Sequence, residues 1–336
     1  MNKKIQNIEI YQKLVDSIGT TIESARQRAI QAVNNELLKA NWEIGKYIVE
    51  YEQHGNEKAE YGSSLLTNLS KDLKSRFGKG FSKSNIYLMR QFYLKYQIFQ
   101  SLTGKLTWTH YAELLGVSDD IARGFYENQV VNDNWSVREL KRQISSSLFE
   151  RLALSQDKGG VLKLSEKGLI ISEPKDIVKD PYVLEFLQIP EEYRMTESKL
   201  EQKIIDNLQT FLLELGKGFS FVGRQFRITL DNDHYYVDLV FYHRILKCFV
   251  LIDLKTKHVK HQDIGQMNMY LNYFRSEENT EGDNPPIGIV LGADKNDILV
   301  EYAIGGISNN IFVSKYQIYL PDKKILEQKV KEIMTE

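Results

Sequence analysis

The chain has 336 residues, 42% of them hydrophobic, which is enough for two domains that each bury a core. A single cysteine, Cys248, excludes a disulfide framework and a thiolate zinc site. A formal net charge of −1 excludes a uniformly basic nucleic-acid binder, so any such partner has to be met by local patches.

The charge is uneven: residues 1–151 carry 21 Lys+Arg against 17 Asp+Glu, and the remainder 23 against 28. The opening MNKKIQNIEIYQKL holds no apolar run fit for a signal peptide, and no segment approaches a membrane span, so a cytoplasmic location is expected.

Apolar residues recur at three and four over 9–52 (Ile22, Ala25, Ala29, Val33, Leu37, then Trp42, Ile44, Ile48), which predicts one or two helices. A polar stretch around Gly55 and Gly62 interrupts them. Ser63 to Phe77 reads as helix. Phe81 to Phe99 follows, with Ser82 and Ser84 as caps and a stripe of Ile86, Met89, Phe92, Tyr93 and Tyr96. Lys71 to Lys95 is the most basic window of this half, with Asp72 as its one acid. Ser136 and Glu139 have the spacing of a capping box at the start of a last helix whose stripe runs Val137, Leu140, Ile144, Leu148. The first domain is therefore bounded at 1–154. Residues 155–195, richer in Gly, Pro and charge, read as a linker that docks on one domain through Tyr182 to Leu187.

From Thr196 the pattern is a helix through Leu215, three β-rich runs (Phe219–Leu230, Tyr235–Tyr242, Lys247–Lys255), a helix His261–Phe274 and a strand Ile287–Leu291. This predicts an αβββαβ domain over 196–336, and an α+β chain overall. Gly305-Gly306 reads as a turn, and no internal repeat appears.

If Arg244 to Lys247 form a four-residue hairpin loop, His243 pairs with Cys248 and Asp238 falls opposite Asp253. Facing carboxylates repel unless a cation lies between them, and oxygen donors with water and phosphate suit Mg2+ or Mn2+. Lys255, two residues beyond Asp253, shares its strand face. Asp238, Asp253 and Lys255 thus supply what phosphodiester hydrolysis needs: metal ligands and positive charge where the transition state becomes negative. An isolated D-x-K often marks only a strand's exit to solvent; the hairpin partner Asp238 is what favours chemistry here.

Glu201, near the start of the preceding helix, is a further metal-ligand candidate, or an exposed first-turn acid favoured by the helix dipole. Gln266 and Tyr270 share one helical face that is expected to look at substrate. Lys257 and Lys260, in the basic run Lys255 to His261, are candidate phosphate contacts. The scattered histidines form no zinc pattern, and there is no G-x-S-x-G, Walker A or dinucleotide fingerprint.

FVGRQFRI, YYVDLVFYHR, IDLK, GQMNMYLNYF and PPIGIVLG, together with LTWTHYAELL, FSKSNIYLMRQFY and WSVRELKRQISSSLFERL in the first half, resemble the YhcG-like bacterial family. The resemblance spans nearly the whole chain. It implies a winged-helix-like, nucleic-acid-binding front domain and a restriction-endonuclease-like PD-(D/E)xK nuclease domain with a mixed sheet. Carried over, the metal carboxylates fall on Asp238 and Asp253, the lysine on Lys255, the accessory acid on Glu201 and the helix glutamine on Gln266. The third-strand acid, more commonly Glu, is here Asp253, and Lys257 stands where a glycine often follows.

The winged-helix-like reading makes the helix from Ser82 to Lys95 the leading nucleic-acid contact, through Lys83, Arg90 and Lys95. A helical bundle that binds protein is the other reading of the same periodicity. The expected activity is metal-dependent cleavage of nucleic acid, DNA foremost, and nucleases of this class that pair subunits make a homodimer an expectation from resemblance. The competing expectation is a non-cleaving regulator on a nuclease-like scaffold, tied to restriction or mobile-element systems.

Overall fold

The computed structural model describes residues 2–54, 59–98, 106–190, 195–304 and 310–335; the Gly305-Gly306 turn lies outside them. Cα packing divides the chain into two units, Met1–Arg123 and Gly124–Glu336. No helix among the described residues is long and apolar enough to cross a membrane.

The described part of the first unit is helical: α1 (Asn2–His54), α2 (Ala59–Phe77), α3 (Lys83–Lys95) and α4 (Trp108–Leu114). α1 runs unbroken where one or two helices are predicted. It buries Leu38, Ile48 and Val49, while Ile22, Val33 and Leu37 of the predicted stripe are exposed, because among the described residues of this unit none packs over that side. α1 passes α3 at Gly45, where a Cβ would lie 2.1 Å from the Met89 carbonyl oxygen, so only glycine permits this approach. Ser82 caps α3 by accepting from Asn85 N (3.1 Å). Ile86, Met89 and Phe92 of α3 are buried with Tyr111 and Leu114 of α4.

α5 (Asp120–Asp133) lies mostly in the second unit and leads to α6 (Val137–Ser145), α7 (Leu148–Ala153) and α8 (Lys158–Lys167). The capping box forms, with Ser136 N donating to Glu139 Oε2 and Glu139 N to Ser136 Oγ. Ser147 takes a left-handed conformation (φ 51°) and splits the predicted last helix, so Leu148 opens α7. Residues 155–195 contribute α8 and β1 (Tyr182–Val183), and β1 joins the sheet as an edge strand.

The sheet has the order β1-β6-β5-β4-β3-β2, formed with β2 (Phe219–Leu230), β3 (Asp233–His243), β4 (Cys248–His258), β5 (Ile287–Asp294) and β6 (Ile311–Gln317). β2, β3 and β4 pair antiparallel; β4, β5, β6 and β1 pair parallel, so the sheet is mixed. The predicted αβββαβ core is present and is extended by β6, α12 (Asp297–Ile304), α13 (Lys323–Thr335) and the edge strand. The helix predicted over Thr196–Leu215 is two, α9 (Glu197–Asp206) and α10 (Leu208–Leu215), broken at Asn207.

Apolar side chains from both faces of the sheet explain this layering. Leu239, Phe241, Val250, Ile252 and Leu254 pack with Leu200 and Ile204 of α9 and Phe211 of α10. Val237, Val240 and Leu251 pack on the other face with Ile264, Met267 and Tyr270 of α11 (His261–Tyr273). The sequence pattern puts Val237, Leu239 and Phe241 on one core face; in the structure Val237 lies on the opposite face from the other two, and the alternation breaks at Asp238.

Candidate active site

The β3–β4 loop has the predicted length: His243 pairs with Cys248, and the ladder continues to Leu239 opposite Ile252. One step beyond stand Asp238 and Asp253. Asp238 Oδ2 accepts the backbone N–H of Leu254 (2.7 Å), which fixes this carboxylate against β4.

Asp253 is 3% exposed at the end of the buried run of β4. Lys255 Nζ lies 2.8 Å from its Oδ2, an ion contact without directed hydrogen-bond geometry, so that oxygen has no directed donor. Burial, reinforced by the Asp238 charge, pushes the Asp253 carboxyl up to about 7 against the pull of Lys255. Burial works against the Lys255 charge, yet Asp253 holds the ammonium above its ordinary range. Lys255 therefore stays protonated beside the carboxylates.

Glu201 on α9 is buried, as a first-turn solvated acid would not be. Its partner is Gln225 of β2, whose Nε2 donates to Glu201 Oε2 (2.6 Å) and to Asp238 Oδ1 (3.0 Å). One amide thus brings the acids of α9 and β3 together. Desolvation raises the Glu201 carboxyl, and the Asp238 charge adds to the shift.

Gln225 was not singled out in the sequence. It adopts φ 47° on a strand whose register shifts between Phe221 and Gly223, and side-chain alternation does not reveal such a position. Its placement in FVGRQFRI, across the sheet from Asp238, is the available signal.

Gln266 Nε2 donates to the Tyr270 hydroxyl, which donates to Tyr236 O (2.9 Å). Tyr270 is wholly buried, so it supports Gln266 from within the core; the sequence expectation of a substrate-facing ring is corrected by this burial. Lys257 and Lys260 are exposed at the end of β4 and before α11. Lys83 and Lys95 are exposed on α3 and Arg90 is half-buried; Arg90 is paired with Glu52 (2.8 Å) and Lys95 with Asp120 (3.1 Å).

Among the described residues no three Asp, Glu, His or Cys side chains converge as a ready-made ion site. The donors still fit a hard divalent cation. They are carboxylate oxygens, one buried oxygen lacks a directed donor, and the groups now holding them, Lys255 and Gln225, are side chains that can swing.

Comparison with known proteins matches the chain to a family. The model described as "YhcG PDDEXK nuclease domain" covers residues 175–331, and "DUF1016 N-terminal domain" covers 17–151. The chain is 39% identical over 348 residues to "Putative nuclease YhcG" of Escherichia coli (strain K12), across 94% of this chain and 92% of that protein. The chain belongs to the YhcG family. In this YhcG-family chain Asp238, Asp253, Lys255, Glu201 and Gln266 all fall within the stretch matched by the PDDEXK model. The nuclease model begins at residue 175, inside the segment 155–195 read from the sequence as a linker, and the front model ends at residue 151. Solved structures similar to the chain include a repair endonuclease from Pyrococcus abyssi (TM-score 0.28, 15% identity, 39% of this chain and 50% of that one). EndoMS in apo form is another (TM-score 0.26, 16% identity, 40% and 49%). The chain spans about half the length of each.

Proposed function

We propose that this chain is a divalent-metal-dependent nuclease that hydrolyses phosphodiester bonds, with DNA as its first substrate. The observation that carries the reading is Asp238, held against β4 by the Leu254 N–H, close enough for its charge to act on Asp253, with Lys255 seated on Asp253. A buried carboxylate, Asp253, beside a second acid costs stability, which selection for packing alone would remove.

Asp238, Asp253 and Glu201 would hold the ion. When bound, Mg2+ or Mn2+ polarises the phosphoryl group and makes a nearby water more acidic. Lys255 places a permanent positive charge where the phosphorane-like transition state gathers negative charge. Gln225 aligns two of the carboxylates, and Gln266, steadied by Tyr270, would complete the site from α11. Water adds to phosphorus, the bond to the leaving oxygen breaks, and that oxygen takes up a proton. Lys257 and Lys260 would contact flanking phosphates, and the helical, winged-helix-like front region would hold the substrate. A cytoplasmic homodimer is part of this reading.

The test is cleavage of plasmid, linear, single-stranded and branched DNA and of RNA, with Mg2+ or Mn2+ against EDTA, by wild type and Asp253→Ala. Metal-dependent cutting abolished in the variant supports the nuclease. The second reading, a binding protein that does not cleave, draws on Lys255 and Gln225 already contacting the carboxylates without an ion; binding in EDTA with no cutting under any condition would replace the first reading with it.

A further inference from the structure

The basic window of the first unit divides in two. Arg90 is ion-paired with Glu52 and Lys95 with Asp120, which Arg123 shares, whereas Lys71, Lys74, Arg76, Lys79 and Lys83 are exposed and, among the described residues, none of them forms an ion pair. These five cations gather at one corner, the end of α2 and the start of α3.

The corner is a built turn. Gly78 and Gly80 take φ of 80° and 118°, conformations that only glycine adopts freely. Ser70 Oγ donates to Phe81 O (2.8 Å), and Asn85 Nδ2 donates to Gly80 O. Trp108 Nε1 donates to Asn85 Oδ1 (2.9 Å), which ties the turn to α4. The N–H groups at the start of α3 lie beside Lys83 and add partial positive charge. At the same turn Phe77 stays 68% exposed, with its ring near that of Phe81 (centroids 6.0 Å apart).

We propose that this corner, Lys71 to Lys83, is a nucleic-acid-binding surface: Lys74, Arg76, Lys79 and Lys83 meet phosphates, and Phe77 stacks on an unpaired base or sugar. The proposal rests on the nucleic-acid reading above and moves the contact from the outer face of α3 to the α2–α3 turn. The turn residues fix the spacing of the cations before a ligand arrives. An aromatic ring among free cations matches a strand with accessible base faces, since every base offers a π-face while its phosphates need positive charge.

The experiment measures binding of the full-length wild-type chain, in EDTA, to short labelled single-stranded DNA, duplex DNA and RNA over a salt series. A triple variant, Lys74→Gln with Arg76→Gln and Lys79→Gln, is compared with a control triple, Lys158→Gln with Lys163→Gln and Lys167→Gln on α8. The corner triple is expected to make the slope of log K against log salt shallower by about 2 to 3, and the control to leave it unchanged. Phe77→Ala is expected to weaken single-strand binding by roughly 5- to 150-fold and plain duplex binding far less. Equal slopes for wild type and the corner triple, or equal losses from the two triples, would overturn this surface while leaving the nuclease reading intact. Wild type that binds no nucleic acid would remove both.

Discussion

Arg151 Nη1 lies 2.7 Å from Glu214 Oε1, with 1% and 0% of the two side chains exposed. Arg142 reaches the other carboxylate oxygen (3.1 Å), Val183 N donates to Oε1 (2.9 Å), and Lys179 Nζ donates to the Glu214 carbonyl. α6 and α7 are thereby fastened to α10 and the edge strand. Arg151 closes the stretch matched by the front family model, and Glu214 belongs to the nuclease domain.

Arg151→Met is expected to destabilise the chain by about 3–5 kcal/mol, because it leaves a buried carboxylate short of its closest partner. Urea unfolding measures this. A change under about 1 kcal/mol would show that Arg142 and Lys179 suffice and that Arg151 is spare.

The same cluster predicts an acid limb. Burial alone would raise the Glu214 carboxyl, but Arg151, Lys179 and Arg142 hold it down at about 2 against an ordinary 4.5. A lowered acid contributes stability that is whole above pH 4.5 and is lost as pH falls toward 2, on the order of 3 kcal/mol. Glu214→Gln should therefore flatten the stability profile over that window, read by chemical unfolding at stepped pH. Lys179 acts in the opposite direction: burial lowers it to about 8, so its contribution improves as pH rises from 8 toward its ordinary 10.5.

Gly45→Ala should force α1 and α3 apart, since the new methyl would meet the backbone of Met89. A loss of about 1–3 kcal/mol is expected. Amide exchange in Ile86 to Phe92 should accelerate, while exchange in β4 and β5 stays at its wild-type rate. Unchanged protection along α3 would show that the two helices do not need this contact.

Gln225→Ala removes the amide shared by Glu201 and Asp238 at an exposed strand position. Cleavage should fall by about 10- to 100-fold with the melting temperature nearly constant. Full activity in Gln225→Ala would mean that the two acids align without it.

Divalent ions should raise the melting temperature of the wild-type chain, by the equivalent of about 2.7 kcal/mol at a hundred times the dissociation constant. Asp253→Ala should lose that response. A shift that survives in the variant would place the ion elsewhere.

The sequence alone determined the hairpin that carries the candidate site. A loop of fixed length sets the register of its strands, so counting outward from His243 and Cys248 gives the observed ladder as far as Leu239 opposite Ile252, one step short of Asp238 and Asp253. Caps at Ser82 and Ser136 were legible for a similar reason, because they depend on neighbours within a few residues. Only the tertiary structure decided which cations are free and which glutamine touches the acids. Arg90 meets Glu52 and Lys95 meets Asp120 across distances in sequence that no periodicity encodes, and Gln225 reaches Asp238 through a left-handed backbone turn within a strand. Local rules fix the direction of a side chain along its own element; its partner is fixed by how the elements pack.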